Sequence, residues 1–174
     1  MKFSLSVAVG NYDRTRALVD GRVRIDGVNP AFMTLSPEEM FFRAFRHADF
    51  DITELSLASY AVSLANDTNE YTALPIFLSR AFRHSSIYVT HESGIQKPEQ
   101  MRGKRIGIAE YQLTANVWAR ALLEDDYGVS PSEIVWVRGG MDAPLRPEKL
   151  RLDLPSDVRV EAVQPGETLN LLLT

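Results

Sequence analysis

The sequence predicts an α/β protein of two lobes, and two stretches carry this prediction. Between Gly103 and Leu123 the apolar spacing changes once, from the alternation of a strand to the repeat of one helix face. Upstream, two extended apolar runs stand on either side of a charged corner at 79–84. Such a corner is typical of a chain that crosses between lobes. We therefore expect a first lobe at residues 1–85 and a second lobe at 86–174.

The first lobe alternates strand patterns with helix patterns. Ser36 is expected to cap its clearest helix, because Pro37 suits the first helical position and Glu39 completes a capping box. Ser59 is expected to begin the helix that follows. In order, strands are expected at 3–9, 32–35, 51–56 and 71–78, and helices at 15–19, 37–47 and 60–65.

The second lobe shows the same alternation. Thr114 is expected to cap its long helix, which leaves the backbone N–H groups of the first turn directed at whatever approaches the preceding loop. Such a helix start can hold an anion or a carboxylate, and the alternative is an ordinary connection between a strand and a helix. The expected elements are strands at 86–90, 104–109, 134–137 and 158–163, a helical turn at 97–101, a helix from 114 that ends at 125–128, and a last helix from about 168.

The last helix has an unusual end. It carries Leu169, Leu171, Leu172 and Leu173 and no C-cap before the sequence stops, which predicts a portion of a larger domain. The four leucines are expected to lack an intramolecular partner. We therefore expect local disorder there or association with another surface, for which a second copy of the chain, in a homo-oligomer, is one candidate.

The composition is that of an ordinary globular protein, and it excludes several classes of function. Of 174 residues, 45% are hydrophobic and 24% are charged, and the net charge of −4 gives no reason to expect a nucleic acid or an anionic membrane as a partner. Because the chain has no cysteine, disulfides and thiolate zinc sites are excluded. No apolar run reaches membrane-spanning length, and the start lacks a signal-peptide cleavage pattern. We expect a soluble cytoplasmic protein.

Polar side chains follow the predicted strands of both lobes. Glu54 and Ser56 stand near the carboxyl end of the third strand, and Arg138 follows the strand at 134–137. In open α/β sheets, ligands bind in the crevice outside the carboxyl ends of the strands. These positions are therefore candidates for a ligand site.

Five runs of the sequence carry a resemblance to a known family. They are NYDRTRAL at 11–18, the helix at 38–47 with its FFRAFRH, ELSL at 54–57, FLSRAFRHSSIY at 77–88 and the stretch at 107–118 with its EYQLTANVW. Together they resemble the 4,5-dihydroxyphthalate decarboxylases. The resemblance implies a type II periplasmic-binding-protein fold turned to catalysis, without an organic cofactor. It also implies roughly twice this length, so that the second lobe is incomplete.

The same resemblance implies a reaction, the decarboxylation of 4,5-dihydroxyphthalate to protocatechuate in phthalate degradation. This reaction needs a cationic clamp for two adjacent carboxylates, a proton donor near the ring and a group that takes the phenolic proton. Arg80 and Arg83 are the candidates for the clamp, because a guanidinium holds a carboxylate by two parallel bonds. His84 is the candidate acid or base, because imidazole exchanges protons near neutral pH, and Glu54 is the candidate for taking the phenolic proton.

We expect the ligand site to lie between the two lobes. Besides the residues already named, one side is expected to supply Asn11 and Ser56. The other side is expected to supply Gln112, Thr114 and Arg138. All of them stand at or beside predicted strand ends or the crossover, which is the reason for grouping them.

Each assignment has an alternative. Arg80 and Arg83 can instead pair with acidic residues across the lobe junction, and His84 can be a hydrogen-bonded hinge residue. Glu54 with His47 or His84 can hold a divalent metal, although these residues lack a ligand spacing. For the whole protein, the alternative is a non-catalytic binding protein or sensor domain of the same fold that captures a small carboxylate.

Overall fold

The computed structural model describes residues 2–173, and within them the chain is an α/β structure, as the sequence predicts. By its contacts the chain divides after Ala81 into two compact units, whereas the sequence places the boundary near residue 85. Each unit holds one three-stranded sheet in which the strands pair in parallel. No helix of these residues is both long enough and apolar enough to cross a membrane.

The first unit alternates strands with helices along the chain. Its elements are β1 (Phe3–Val9), α1 (Asp13–Val19), β2 (Val28–Thr34), α2 (Pro37–His47), β3 (Ile52–Thr53) and α3 (Leu57–Ala65). The sheet order is β2-β1-β3, so that β1 is the central strand. The carboxyl half of β1, residues 7–9, is buried, as expected for a strand with neighbours on both sides.

Helix α2 begins and packs as its sequence predicts. The Ser36 hydroxyl oxygen accepts a hydrogen bond from the Glu39 N–H at 3.3 Å, and Pro37 is the first helical residue. The helix ends at His47, and its C-cap residue is Ala48, whose φ of 49° lies in the left-handed region. Its buried side chains, together with residues of β1 and the chain before β3, form the core of the unit: Ala8, Met40, Ala44 and Phe50.

The second unit contains a second parallel sheet. Its elements are β4 (Arg105–Ile108), α4 (Thr114–Tyr127), β5 (Val135–Arg138), β6 (Arg159–Ala162) and α5 (Leu169–Leu173). The order is β4-β5-β6, with β5 central. Helix α4 ends at Gly128, which adopts a φ of 64° that glycine takes without steric cost. The core of the unit is formed by Met101, Ile108, Tyr111, Leu123, Val129, Ile134 and Trp136.

The expectation that all four leucines of α5 lack a partner is wrong for Leu169. A Cβ added at Gly107 in β4 would lie 3.0 Å from the Leu169 side chain, and one added at Gly139 would lie 3.1 Å from it. Leu169 therefore packs over backbone that two glycines leave open. Leu171, Leu172 and Leu173 are 64%, 45% and 49% exposed, respectively. The expectation of an exposed apolar surface therefore holds for the rest of the helix.

Four of the expected strands differ from the structure by more than one residue at an end, and the first of them, expected at 32–35, is β2 at Val28–Thr34. The runs at 71–78 and 86–90 are not strands, because no ladder partner is present for them in the described residues. The Ile76 N–H donates instead to the Leu74 carbonyl at 2.7 Å, in a tight turn at Pro75. The third strand is reduced to Ile52–Thr53. The expectation of a crossover between two strands is therefore wrong. Short 3₁₀ turns at 84–86 and 91–93 are found in this part of the chain instead.

Helices α1 and α3 begin earlier than expected, α1 at Asp13 and not at Thr15, and α4 begins where expected but with a different cap. Ser56, not Ser59, caps α3, and its hydroxyl oxygen accepts from the Ser59 N–H at 3.5 Å and from the Ser59 hydroxyl at 3.2 Å. Leu113, not Thr114, occupies the cap position of α4, where no side chain makes the capping hydrogen bond. The expectation that Thr114 caps this helix is therefore wrong.

Candidate active site

Two neighbouring strands of the first sheet bring polar groups to one edge. β1 and β3 pair in parallel, so the residues that follow them meet at the same edge. The Glu54 N–H donates to the Ala8 carbonyl at 3.1 Å, which fixes the backbone of Glu54 there. The Glu54 carboxylate accepts from the Tyr12 hydroxyl at 2.8 Å and from the Gly10 N–H at 3.3 Å. A phenol and a carboxylate thus form a hydrogen-bonded pair at the carboxyl edge.

The position of the Tyr12 ring depends on the absence of a side chain at Gly10. A Cβ at Gly10 would lie 2.6–2.8 Å from the Cζ, Cε2 and hydroxyl oxygen atoms of Tyr12. The ring therefore lies directly on the Gly10 backbone, in space that only glycine leaves free. The Tyr12 N–H also donates to the Gly10 carbonyl at 3.0 Å, which holds the turn closed.

The surroundings of Tyr12 stabilise its protonated form. Burial raises the pKa of the Tyr12 phenol above its ordinary value, and the hydrogen bond and negative charge of Glu54 raise the pKa further. A hydrogen bond from Ser79 and the positive charge of Arg14 act in the opposite direction but are weaker. Tyr12 is therefore a neutral phenol at neutral pH, and its O–H donates a hydrogen bond to Glu54.

A cleft of about 210 Å³ opens beside this pair. Tyr12 and Asn11 line it, and so does Arg16, whose guanidinium donates to the Asn11 side-chain oxygen at 3.3 Å. Glu54 is not one of the described residues that line the cleft. Tyr12 thus belongs to the lining of the cleft and, through its hydroxyl, contacts the carboxylate. The remaining lining residues are Gly10, Thr15, Val19, Asp20 and Thr34.

The chain at 78–80 closes over the same edge. The Arg14 guanidinium donates to the Leu78 carbonyl and lies 5.0 Å from the centre of the Tyr12 ring, so it ties this segment to the start of α1. Ser79 contributes the hydrogen bond to Tyr12 described above. Arg80, which follows, is exposed and forms no ion pair with a described carboxylate of its own unit.

Two of the residues expected in the catalytic group belong to the second unit. Arg83 is half-buried, and His84 is exposed as the first residue of a 3₁₀ turn. Neither forms an ion pair with a described carboxylate of that unit. Because the neighbouring runs are not strands, His84 does not lie at a strand end, as the sequence had indicated.

The second unit carries an acidic residue at the corresponding edge. Glu110 lies two residues after β4, is 8% exposed, and forms an ion pair with Lys149, which is 4% exposed. The Gln112 side-chain nitrogen donates to Glu110 at 2.6 Å. The Gln112 side-chain oxygen is buried and has no partner within the described part of the chain. Glu110 and Lys149 were not among the expected site residues.

A buried cation, the guanidinium of Arg120, contacts the loop that carries Glu110 and Gln112. The Arg120 guanidinium donates to the Tyr111 carbonyl at 2.7 Å and stacks 3.6 Å from the centre of the Tyr111 ring. Burial lowers the pKa of Arg120, and the neighbouring Tyr111 acts weakly in the opposite direction. The guanidinium also lies 5.8 Å from the centre of the Trp136 ring, so these contacts join the loop between β4 and α4 to α4 itself.

Three further expected residues have partners within their own units. Arg138 is the last residue of β5, and its guanidinium pairs with Glu148 at 3.3 Å and donates to the Arg146 carbonyl at 3.2 Å. Ser56 is buried as the cap of α3, and Thr114 is the first residue of α4. Among the residues that the structure describes, no group of three or more acidic, histidine or cysteine side chains could hold a metal ion.

Comparison with known proteins gives the family. No protein-family model matches the chain. Two curated relatives, from Comamonas testosteroni and Pseudomonas putida, are each 58% identical to it over 172 residues, which is 99% of the chain, and each is named 4,5-dihydroxyphthalate decarboxylase. The chain belongs to the 4,5-dihydroxyphthalate decarboxylase family. It spans about half of the Comamonas relative, 52%, and 67% of the Pseudomonas relative.

Sequence reasoning identified this decarboxylase family correctly but missed the residue at the centre of the first edge. Asn11 and Glu54 were expected in the site, whereas Tyr12 and Arg16 were not. A signal was present, because Gly10 and Tyr12 follow a strand directly and Glu54 follows another. What the sequence does not tell is that these two strands are neighbours, which alone brings Tyr12 to Glu54.

Proposed function

We propose that this protein decarboxylates 4,5-dihydroxyphthalate to protocatechuate. The observation that carries the proposal is the identity of 58% over 99% of the chain to two proteins that are named for this activity. The five runs that carry the resemblance all lie within the matched region. The hydrogen-bonded pair of Tyr12 and Glu54 beside a cleft supports the proposal, because it is a plausible acid–base group for a phenolic substrate.

The reaction moves two protons. The ring carbon that bears the departing carboxylate gains a proton, and the hydroxyl para to it loses one. Carbon dioxide then leaves with its bonding electrons returned to the ring, which becomes aromatic again. No organic cofactor is needed, because the hydroxylated ring itself accepts the electrons of the broken bond.

The proposed groups divide between these tasks. Glu54 is the final acceptor of the phenolic proton, and His84 is the proton donor to the ring carbon. Arg80 and Arg83 are the clamp for the two carboxylates, and this role is supported because neither forms an ion pair with a described carboxylate of its own unit. Asn11 supports binding from the cleft that it lines.

The remaining expected residues have weaker support as ligand groups. The buried, unpartnered oxygen of Gln112 is available to a donor. By contrast, the hydroxyl of Ser56 is engaged in capping α3, and the guanidinium of Arg138 is engaged by Glu148. We therefore propose direct substrate contacts for Asn11 and Gln112, while Ser56, Thr114 and Arg138 hold the edges on which they lie.

We also propose the type II periplasmic-binding-protein fold for the chain and a cytoplasmic location. Two units that each carry a parallel sheet support the fold. A sequence without cysteine fits a reducing compartment. The three exposed leucines of α5 support association with a second copy of the chain.

A second candidate function is the binding of a small carboxylate without catalysis. The cleft favours it, because Arg16 and Asn11 line a space of about 210 Å³ that suits a small anion. Such a protein would deliver its ligand to a transporter or a sensor.

One experiment separates the two functions. The purified full-length protein is incubated with 4,5-dihydroxyphthalate, and carbon dioxide and protocatechuate are followed together. The decarboxylase releases both in equal amounts over many turnovers. Stoichiometric binding without product would contradict the decarboxylase and leave the binding protein.

A further inference from the structure

Tyr12 links the cleft of the first unit to Glu54. Tyr12 lines the cleft, whereas Glu54 is not among the described lining residues. The Tyr12 hydroxyl donates to Glu54 Oε1 at 2.8 Å. The same residue therefore belongs both to the cleft and to the hydrogen-bonded pair with the carboxylate.

We propose that the Tyr12 hydroxyl takes the phenolic proton of the substrate and passes its own proton to Glu54 Oε1. This inference rests on the proposed decarboxylase function and adds a catalytic residue to it. Glu54 then acts through Tyr12 and does not touch the substrate. The alternative is that Glu54, which is half-buried, takes the proton directly, and the Tyr12→Phe variant separates the two.

The transfer balances at each atom. The substrate O–H bond breaks and a new O–H bond forms on the Tyr12 oxygen, while the former Tyr12 O–H bond breaks and its proton bonds to Glu54 Oε1. Tyr12 is unchanged at the end, the Glu54 carboxylate has become a carboxylic acid, and the substrate has lost one proton. After carbon dioxide has left, the relay runs in reverse and returns the proton to the product hydroxyl.

The direction of transfer follows from the chemistry of the ring. Once the ring carbon has gained its proton, the ring is cationic and its para hydroxyl is far more acidic than an ordinary phenol. A carboxylate at the end of the relay is then a sufficient base. Before that step, burial and Glu54 keep Tyr12 protonated, so its hydroxyl has a proton to pass to Glu54 when the substrate binds.

The structure holds the relay in one geometry. The Gly10 backbone supports one face of the ring, and the Gly10 N–H donates to the second oxygen of Glu54 at 3.3 Å. Ser79 forms a hydrogen bond with the Tyr12 side chain, and the Arg14 guanidinium lies 5.0 Å from the ring centre. Groups that are fixed before the substrate binds lose little entropy in the transition state.

The test compares two Tyr→Phe variants of the full-length protein. Tyr12→Phe removes the hydroxyl and keeps the ring, and Tyr127→Phe, at the end of α4 in the other unit, is the matched control. For Tyr12→Phe, kcat for carbon dioxide release is expected to fall about 100-fold, while KM changes less than about threefold. Tyr127→Phe is expected to match the wild type.

The outcomes separate the relay from the proposed function. A wild-type protein that releases no carbon dioxide overturns both, because the relay has no reaction to serve. A wild-type protein that turns over, with Tyr12→Phe at the same kcat, overturns the relay alone. If Tyr12→Phe does not fold, judged by circular dichroism and thermal unfolding, Glu54→Gln takes its place. An unchanged kcat for that variant also overturns the relay.

Discussion

The two sheets each present an acidic residue at the carboxyl edge, and the two residues have opposite surroundings. Glu54 directly follows β3 and accepts from a neutral phenol that faces a cleft. Glu110 follows β4 by two residues and forms an ion pair with a lysine that is only 4% exposed. Glu54 and Glu110 therefore occupy equivalent positions in their sheets, but the side chains that they contact differ.

The partner decides what each carboxylate can do. An acid that is paired with a buried ammonium stabilises the chain, because neither charge can be removed without leaving the other unpaired. An acid that accepts from a phenol beside a cleft has a partner that can itself carry a proton in or out. We infer that Glu54 belongs to the chemistry and that Glu110 belongs to the stability of the second unit.

The largest expected effect is on stability, at Glu110. Glu110→Gln leaves the Lys149 ammonium buried without a counter-charge, so the free energy of unfolding is expected to fall by about 3–5 kcal/mol. The matched control is Glu161→Gln, which removes the exposed pair with Arg105, where the side chains are 52% and 62% exposed. That change is expected to cost less than about 1 kcal/mol.

Denaturant unfolding of both variants of the full-length protein measures this difference. If Glu110→Gln unfolds at the denaturant concentration of Glu161→Gln, the buried pair does not stabilise the second unit. The contrast between the two edges would then be wrong.

The next effect is on turnover, at His84. If His84 supplies the proton to the ring carbon, His84→Gln is expected to lower kcat about 100-fold with little change in substrate binding. The matched control is His91→Gln, because His91 begins a 3₁₀ turn of the same unit and has no proposed role. Steady-state rates of carbon dioxide release measure both. Equal rates for the two variants would remove His84 from the mechanism.

A smaller effect on turnover is expected at Gly10. In Gly10→Ala the new Cβ would lie 2.6 Å from Tyr12 Cζ, so the ring must move away from Glu54. Because the end of a side chain yields more easily than backbone, the fold is expected to survive while kcat falls about 10-fold. Thermal unfolding and carbon dioxide release measured on one preparation check this. A variant with full activity would show that the ring position does not matter.

The smallest effect is a titration. The raised pKa of Tyr12 means that the folded protein binds this proton more tightly than the unfolded chain. The resulting stabilisation is present below about pH 10 and is lost as the pH rises through the raised value. Glu54→Gln is expected to lower the pKa of Tyr12 without restoring the ordinary value, because burial is the larger cause. NMR of ring-labelled tyrosine follows the titration, and a Tyr12 signal that does not respond to Glu54→Gln would contradict the pairing.

Local signals predicted the elements that depend on local chemistry. The bounds of β1 and α2 agree with the sequence, because alternation and a serine cap followed by proline are properties of the segment itself. At α3, Ser56 and Ser59 stand one turn apart and both suit a cap. The helix uses the earlier serine and buries the later one, a choice that the sequence alone does not decide.

Elements that need a distant partner were predicted less well. The run at 71–78 has the apolar content of a strand, but Pro75 turns the chain and no neighbouring strand takes up its backbone groups among the described residues. The same limit applies to the site. Glu54 was recognised as a strand-end acid, while its pairing with Tyr12 depends on β3 lying beside β1, and Glu110 was missed because its lysine is 39 residues away.

The central claim is that Tyr12 and Glu54 act as one catalytic group, and a double-mutant cycle on kcat tests it most directly. Carbon dioxide release is measured for the wild type, Tyr12→Phe, Glu54→Gln and the double variant of the full-length protein. If the two residues pass one proton in series, each single change and the double change all lower kcat by about the same 100-fold factor. Losses that multiply to about 10,000-fold in the double variant would show two independent groups and contradict the claim.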